Sequence, residues 1–124
     1  MASKMYDEMI EQSISLKETL KAEKNHMTEL SKYFQDFDKI YIVGCGSSLS
    51  TGCSVRDALN FVSDKSIDVN TGYEFYYHKK LEKGEGGVIL TSPSGETGDT
   101  IAALKKAQEY DLHILAVTNE EKVV

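Results

Sequence analysis

Short runs of uninterrupted apolar residues alternate along this chain with segments of helical period, and that alternation constrains the fold more than any other feature. Ile40-Tyr41-Ile42-Val43 is β-branched and aromatic and stops at Gly44. A helix is predicted over 49–62, with Val55, Ala58, Leu59 and Val62 as its buried stripe. Ile67-Asp68-Val69 is a weaker second strand, and 73–80 a short helix. Residues 87–91 form the third strand, 97–110 a helix with Thr100, Ala103, Leu104 and Ala107 inward, and 112–117 the fourth strand. Strands that are apolar without alternation need cover on both faces, which crossover helices supply in a parallel sheet. The expected class is therefore α/β: a three-layer αβα sandwich around a parallel sheet.

The first 36 residues read differently. Met9, Leu16 and Leu20, then Met27, Leu30 and Phe34, recur at helical spacings. The polar stretch 21–25 is expected to break this lead into two helices. The chain is thus divided into a helical lead, 1–36, and an α/β domain, 37–124. It stops at Val124 soon after a strand, which reads as a fragment or a shortened version of such a sheet.

Charge narrows the partners. The 124 residues carry a net charge of −6. No basic footprint for nucleic acid and no polybasic membrane patch is present. Two cysteines, Cys45 and Cys53, make no disulfide framework, and no His or Cys spacing suits zinc. Met1-Ala2-Ser3-Lys4-Met5 lacks the apolar core of a signal peptide, so a cytoplasmic location is expected, with no metal and no cofactor.

An anion must then be held by local geometry, and one loop offers it. Ser92-Pro93-Ser94-Gly95-Glu96-Thr97 places three hydroxyls within six residues, directly before a helix. Gly95 permits positive φ. Free first-turn amides and the positive end of the helix dipole add to the hydroxyls. Plain N-capping competes as an explanation, but a cap needs one hydroxyl only. The earlier loop, Gly44-Cys45-Gly46-Ser47-Ser48, partly imitates a dinucleotide fingerprint, with Leu49 where the third glycine belongs and Asp64 or Asp68 as candidate ribose acids.

Four stretches together resemble a known family. Tyr6 to Gln12 with Leu20, Cys45-Gly46-Ser47-Ser48 with Gly52, Glu74-Phe75 with Tyr77, and Ser92-Pro93-Ser94-Gly95-Glu96-Thr97 with Asp99-Thr100 stand in one order. They resemble the first SIS (sugar isomerase) half of the isomerase part of glucosamine-6-phosphate synthase and related amino-sugar isomerases and deglycases. The resemblance implies a flavodoxin-like or Rossmann-like sheet that binds a hexose or amino-hexose phosphate. It implies phosphate contacts from Ser48, Ser92, Ser94 and Thr97, with Pro93, Gly95 and Glu96 supplying loop backbone. Cys45, Gly46 and Ser47 would lie beside the sugar. Pro93 stands where the family has Gln, which removes a side-chain amide and a backbone donor.

Aldose–ketose interconversion needs a general base to move a proton between neighbouring carbons. In the resembled enzymes a glutamate, a histidine and a lysine for this chemistry come from a second SIS half, which this chain lacks, as it lacks a glutaminase part. No catalytic residue is therefore assigned, and partner subunits, in a homo-oligomer, or a second half are expected to complete the site. Glu96 is expected in the first turn of the helix after the loop, as a partner of its dipole. His26 reads as solvated, His78 as a residue of a subunit contact and His113 as structural. Three rivals stay open: a non-catalytic sugar-phosphate sensor, a dinucleotide-binding domain, and an inactive fragment.

Overall fold

The computed structural model describes residues 3–119. Contacts divide the chain into Met1–Asp36 and Phe37–Val124.

The first unit is a single helix, α1 (Lys4–Phe34), started by Ser3, whose side chain accepts from the Tyr6 amide. It does not break at 21–25 as the sequence reading expected. Those residues are Lys, Ala, Glu, Lys and Asn, mostly strong helix formers with no glycine or proline. Polarity removes a buried face from a helix without removing its backbone hydrogen bonds.

The second unit holds β1 (Lys39–Gly44), α2 (Ser47–Val62), β2 (Ser66–Asn70), α3 (Gly72–His78), β3 (Gly87–Thr91), α4 (Gly98–Glu109) and β4 (His113–Val117). All strand pairs are parallel, in the order β2-β1-β3-β4. Tyr41 pairs with Asp68 and Val88, and Val43 with Asn70 and Leu90. Helices cover both faces, as the continuous apolar strands require.

The core lies between the sheet and the helix pair α3/α4. Tyr41, Val43, Val88 and Leu90 meet Phe75 from α3 and Ala103 and Ala107 from α4. Phe75 is completely buried, edge-on to Tyr41 at 5.4 Å between ring centres. Small residues on α4 let it approach the strands closely: Thr100, Ala103 and Ala107 are its buried positions, with Leu104 packed at the margin of the core. A second tie joins the two helices. The Lys106 ammonium donates to the carbonyls of Phe75 (2.9 Å), Tyr76 (2.8 Å) and Lys79 (2.6 Å), where α3 ends and its carbonyls lack intrahelical partners.

The opposite face corrects the expectation for α2. Val55, Leu59 and Val62 are exposed, Ala58 with them, and only Ser48 and Gly52 of this helix are buried. The sheet offers α2 two short strands, β1 and β2. The helix meets them at Gly52, where a Cβ would sit 2.9 Å from Ile42 Cγ2 and 3.1 Å from Val69 Cγ1. Periodicity identified a helix but not the face used, because a glycine contact carries no apolar signal. Asn60 anchors the far end by donating to the Ile67 carbonyl and accepting from its amide.

Candidate functional site

The strand order creates a switch point. The chain leaves β1 over one face through α2 and, on the other side of β1, leaves β3 through α4 over the other face. The carboxyl ends of β1 and β3 are adjacent, and their loops diverge, which is where open α/β sheets bind ligands. Both loops singled out in the sequence emerge there.

Ser92 opens the second loop. Its amide donates to the Val117 carbonyl at 3.0 Å, which ties the loop to the end of β4. Its Oγ is buried, accepts from the Gly95 amide at 3.1 Å, and lies 3.0 Å from Thr97 Oγ1. Gly95 turns the chain at φ 69°, the left-handed region expected of it. Ser94 is exposed, and its Oγ accepts from the Glu96 amide at 3.1 Å. Pro93 contributes only its carbonyl, which accepts from the Asn119 amide (3.1 Å) and the Thr118 hydroxyl (3.3 Å).

Thr97 is the N-cap residue of α4, yet its side chain makes no cap hydrogen bond. The hydroxyl pairs with Ser92 instead. Capping therefore does not account for it, and the first-turn amides of α4 are left without that partner. Helix α4 starts one residue later than the sequence suggested, so Glu96 precedes the cap and is exposed rather than sitting in the first turn. Asp99 takes that place.

A count of protons shows what this loop can do. Each hydroxyl has one donor and can accept besides. Ser94 accepts from Glu96 N–H, so its own proton is free to point outward. Ser92 accepts from Gly95 N–H; when it donates to Thr97, the Thr97 proton is free. One short relay thus runs from the Glu96 amide to the Ser94 hydroxyl, and with Ser92 donating to Thr97 a second runs from the Gly95 amide to the Thr97 hydroxyl. Ser92, Gly95 and Thr100 also wall an apolar cleft with Leu90, Leu104 and Val117. A dry wall behind polar groups strengthens their hydrogen bonds. Glu96 and Asp99 oppose an anion electrostatically, so donors have to outweigh two exposed carboxylates.

The first loop is built alike. Gly46 is the N-cap residue of α2, at φ 58° and without a side-chain cap, and no acidic residue occupies the first turn. Ser47 is exposed and Ser48 buried in that turn, with the Ser48 amide donating to Cys45 O at 3.2 Å. Half-buried Cys45 points across the crevice: its Sγ lies 3.9 Å from Thr100 Oγ1 at the start of α4. That contact joins the two loops and was not foreseen, because Thr100 reads as an inner-face residue. Asn70, at the end of β2 on the same edge, was also missed; a lone Asn after Val69 looks like a turn residue.

Apart from Cys45, Glu96 and Asp99, which belong to these loops, the described candidates for moving a proton are placed as follows. Glu74 is held in a capping box with Thr71, its Oε2 accepting from the Thr71 amide at 3.0 Å. His113 begins β4 and stacks on Phe37, at the amino edge of the sheet. His78 ends α3, which runs back from the carboxyl edge, and lies edge-on to Tyr73. Among the described residues no cluster of His, Cys, Asp or Glu is placed to hold a metal, and no helix is long and apolar enough to cross a membrane.

Comparison with known proteins supplies a family and a fold. The family model described as "SIS domain" matches residues 33–123. The chain is 29% identical over 123 residues to a glutamine–fructose-6-phosphate aminotransferase (isomerizing) of Clostridium perfringens, covering 93% of this chain and 20% of that protein. It is 32% identical over 124 residues to the protein of that name from Yersinia pseudotuberculosis, with coverage of 93% and 20%. The chain thus spans about a fifth of the length of these curated relatives. Among solved structures, a protein of Clostridium difficile 630 proposed to be a phosphosugar isomerase superposes with a TM-score of 0.85, at 19% identity, over 99% of this chain and 35% of that one. Tagatose-6-phosphate ketose/aldose isomerase of Escherichia coli gives 0.65 at 14% identity, over 81% and 28%. At those identities the likeness is one of fold.

Proposed function

The chain belongs to the SIS domain family, and from that premise we propose that it binds a phosphorylated sugar, a hexose or amino-hexose phosphate, in the crevice between the loops that follow β1 and β3. The observation that carries the reading is the Thr97 hydroxyl, which leaves the helix uncapped and joins Ser92 instead. Ser94, Thr97 and the first-turn amides of α4 hold the phosphate, with Ser48 at the start of α2 as the opposing contact. Cys45, Gly46 and Ser47 face the sugar carbons. No lysine or arginine lies in residues 91–100, so the site takes its donors from backbone and hydroxyls.

The chemistry that fits such a site is sugar-phosphate isomerisation through the open chain, with proton transfer between the first two carbons. The base for that step is expected from a second SIS half or a partner subunit, as in the resembled enzymes; Glu74 is engaged in its capping box and His113 stands at the amino edge of the sheet. Sensing without turnover uses the same loops and needs no base.

A thermal-shift panel of sugar phosphates on the chain, repeated with Ser94→Ala and Thr97→Val, tests the reading. Stabilisation by glucose 6-phosphate or fructose 6-phosphate is expected, and both substitutions abolish most of it. Stabilisation that survives in both variants places the ligand elsewhere. Turnover by a longer form carrying a second half separates enzyme from sensor.

A further inference from the structure

Asn70 closes β2 at the carboxyl edge of the sheet and is 6% exposed. Its Nδ2 is shut off from solvent and has no hydrogen-bond partner among the described residues. A buried donor left unmatched is rare in folded chains and destabilising. Such a cost at an edge strand's end calls for a reason.

Position supplies one. Asn70 is in register with Val43, and two residues earlier Asp68 is in register with Tyr41. Tyr41 packs on Phe75, and Asp68 pairs with Lys79 just past α3. Side chains two apart in a strand share a face, so Asn70 is on the α3/α4 side. Beyond Val43 on that side comes Cys45, within 3.9 Å of Thr100. The next turn of chain after Asn70 is also fixed against α4, since a Cβ on Gly72 would lie 2.5 Å from the Asp99 carbonyl. Asn70 therefore sits where the first loop and the starts of α3 and α4 converge, beside the crevice and away from the phosphate loop's own hydroxyls.

We propose that Asn70 is a specificity-determining residue of this site, its side-chain amide donating to a hydroxyl or carbonyl oxygen on the carbon chain of the bound sugar phosphate. The inference rests on the sugar-phosphate reading above. The donor reaches the ligand by rotation about χ2, a broad torsion in Asn. Ligand binding then supplies the missing partner, which couples sugar recognition to relief of a buried unpaired amide.

Calorimetric titration of the 124-residue chain with fructose 6-phosphate and, separately, with inorganic phosphate tests it, using Asn70→Leu and Asn70→Ala. Loss of one neutral hydrogen bond predicts about three- to tenfold weaker fructose 6-phosphate binding in both variants, with inorganic phosphate binding unchanged. Should the apolar replacements unfold, Asn70→Ser stays neutral and polar, is too short to reach the ligand as the amide does, and gives the same comparison. Unchanged fructose 6-phosphate affinity overturns the inference and leaves the phosphate site standing; so does a parallel loss of inorganic phosphate affinity, which would mean a displaced loop. A wild-type chain that takes up neither probe overturns the phosphate site itself, and the role of Asn70 with it.

Discussion

Replacing Ser92 by Ala tests the relay at its hub. The substitution removes the acceptor of the Gly95 amide and the partner of Thr97 Oγ1, at 3.1 and 3.0 Å. The Gly95 amide retains the Ser92 carbonyl, also at 3.1 Å, and half-buried Thr97 can turn to water. Of the two hydrogen bonds only part of the worth is lost, about 1 kcal/mol. For a unit of this size that lowers the melting temperature by about 4–8 °C. Ligand binding is hit harder, because the Thr97 proton is then no longer directed outward by Ser92, and hydrogen bonds to a charged group are worth about 1.5–3 kcal/mol, roughly ten- to a hundredfold in affinity. The assay is a double-mutant cycle of Ser92→Ala and Thr97→Val, read by titration with glucose 6-phosphate. The relay predicts that the double variant binds no worse than the worse of the two single ones, since both cut one chain of donors. Additive losses would refute the relay and leave two independent contacts.

Two further predictions concern the scaffold. Gly52→Val forces a branched side chain into the 2.9 Å approach to Ile42 and should cost about 1–3 kcal/mol, seen as a lower urea midpoint; an unchanged midpoint would mean that α2 is not seated on the sheet as described. Lys106→Met strips three carbonyls at the end of α3 of their donor and should lower stability at neutral pH by about 1 kcal/mol. Burial pushes the Lys106 ammonium below the ordinary lysine value of 10.5, against a smaller opposing effect of Glu109. The native chain then releases this proton at lower pH than the unfolded chain, so the unfolded state binds more protons in the window just below 10.5, and this residue's contribution to stability rises with pH there. Urea midpoints measured across that window should show the rise in the wild type and a flatter profile in Lys106→Met; identical profiles would sink the assignment.

What could be read from residues alone followed from signals the backbone itself requires. Uninterrupted apolar strands fixed the parallel sheet because a two-faced strand has no other use for them, and Gly95 marked a left-handed turn that the chain adopts. The misreadings occurred where a contact leaves no apolar trace. Helix α2 seats through the absence of a side chain at Gly52, while Val55, Leu59 and Val62, which periodicity favoured, stay exposed. Residues 21–25 looked like a break because polarity was taken for weakness, although Lys, Ala and Glu hold a helix well. At the site the hydroxyls of the second loop were legible as a group, since three within six residues exceed any capping need. The link from Cys45 to Thr100 and the unmatched amide of Asn70 were not, because each depends on which strands become neighbours. Order in the sheet, β2-β1-β3-β4, is what brings residue 45, residue 70 and residues 92–100 to one edge. A single-strand exchange in that order would keep every local motif intact and scatter the crevice. The loop proposed to hold phosphate can therefore be recognised as a string of residues, whereas the selection among sugars proposed for this site has to be sought in side chains that only the topology assembles around it.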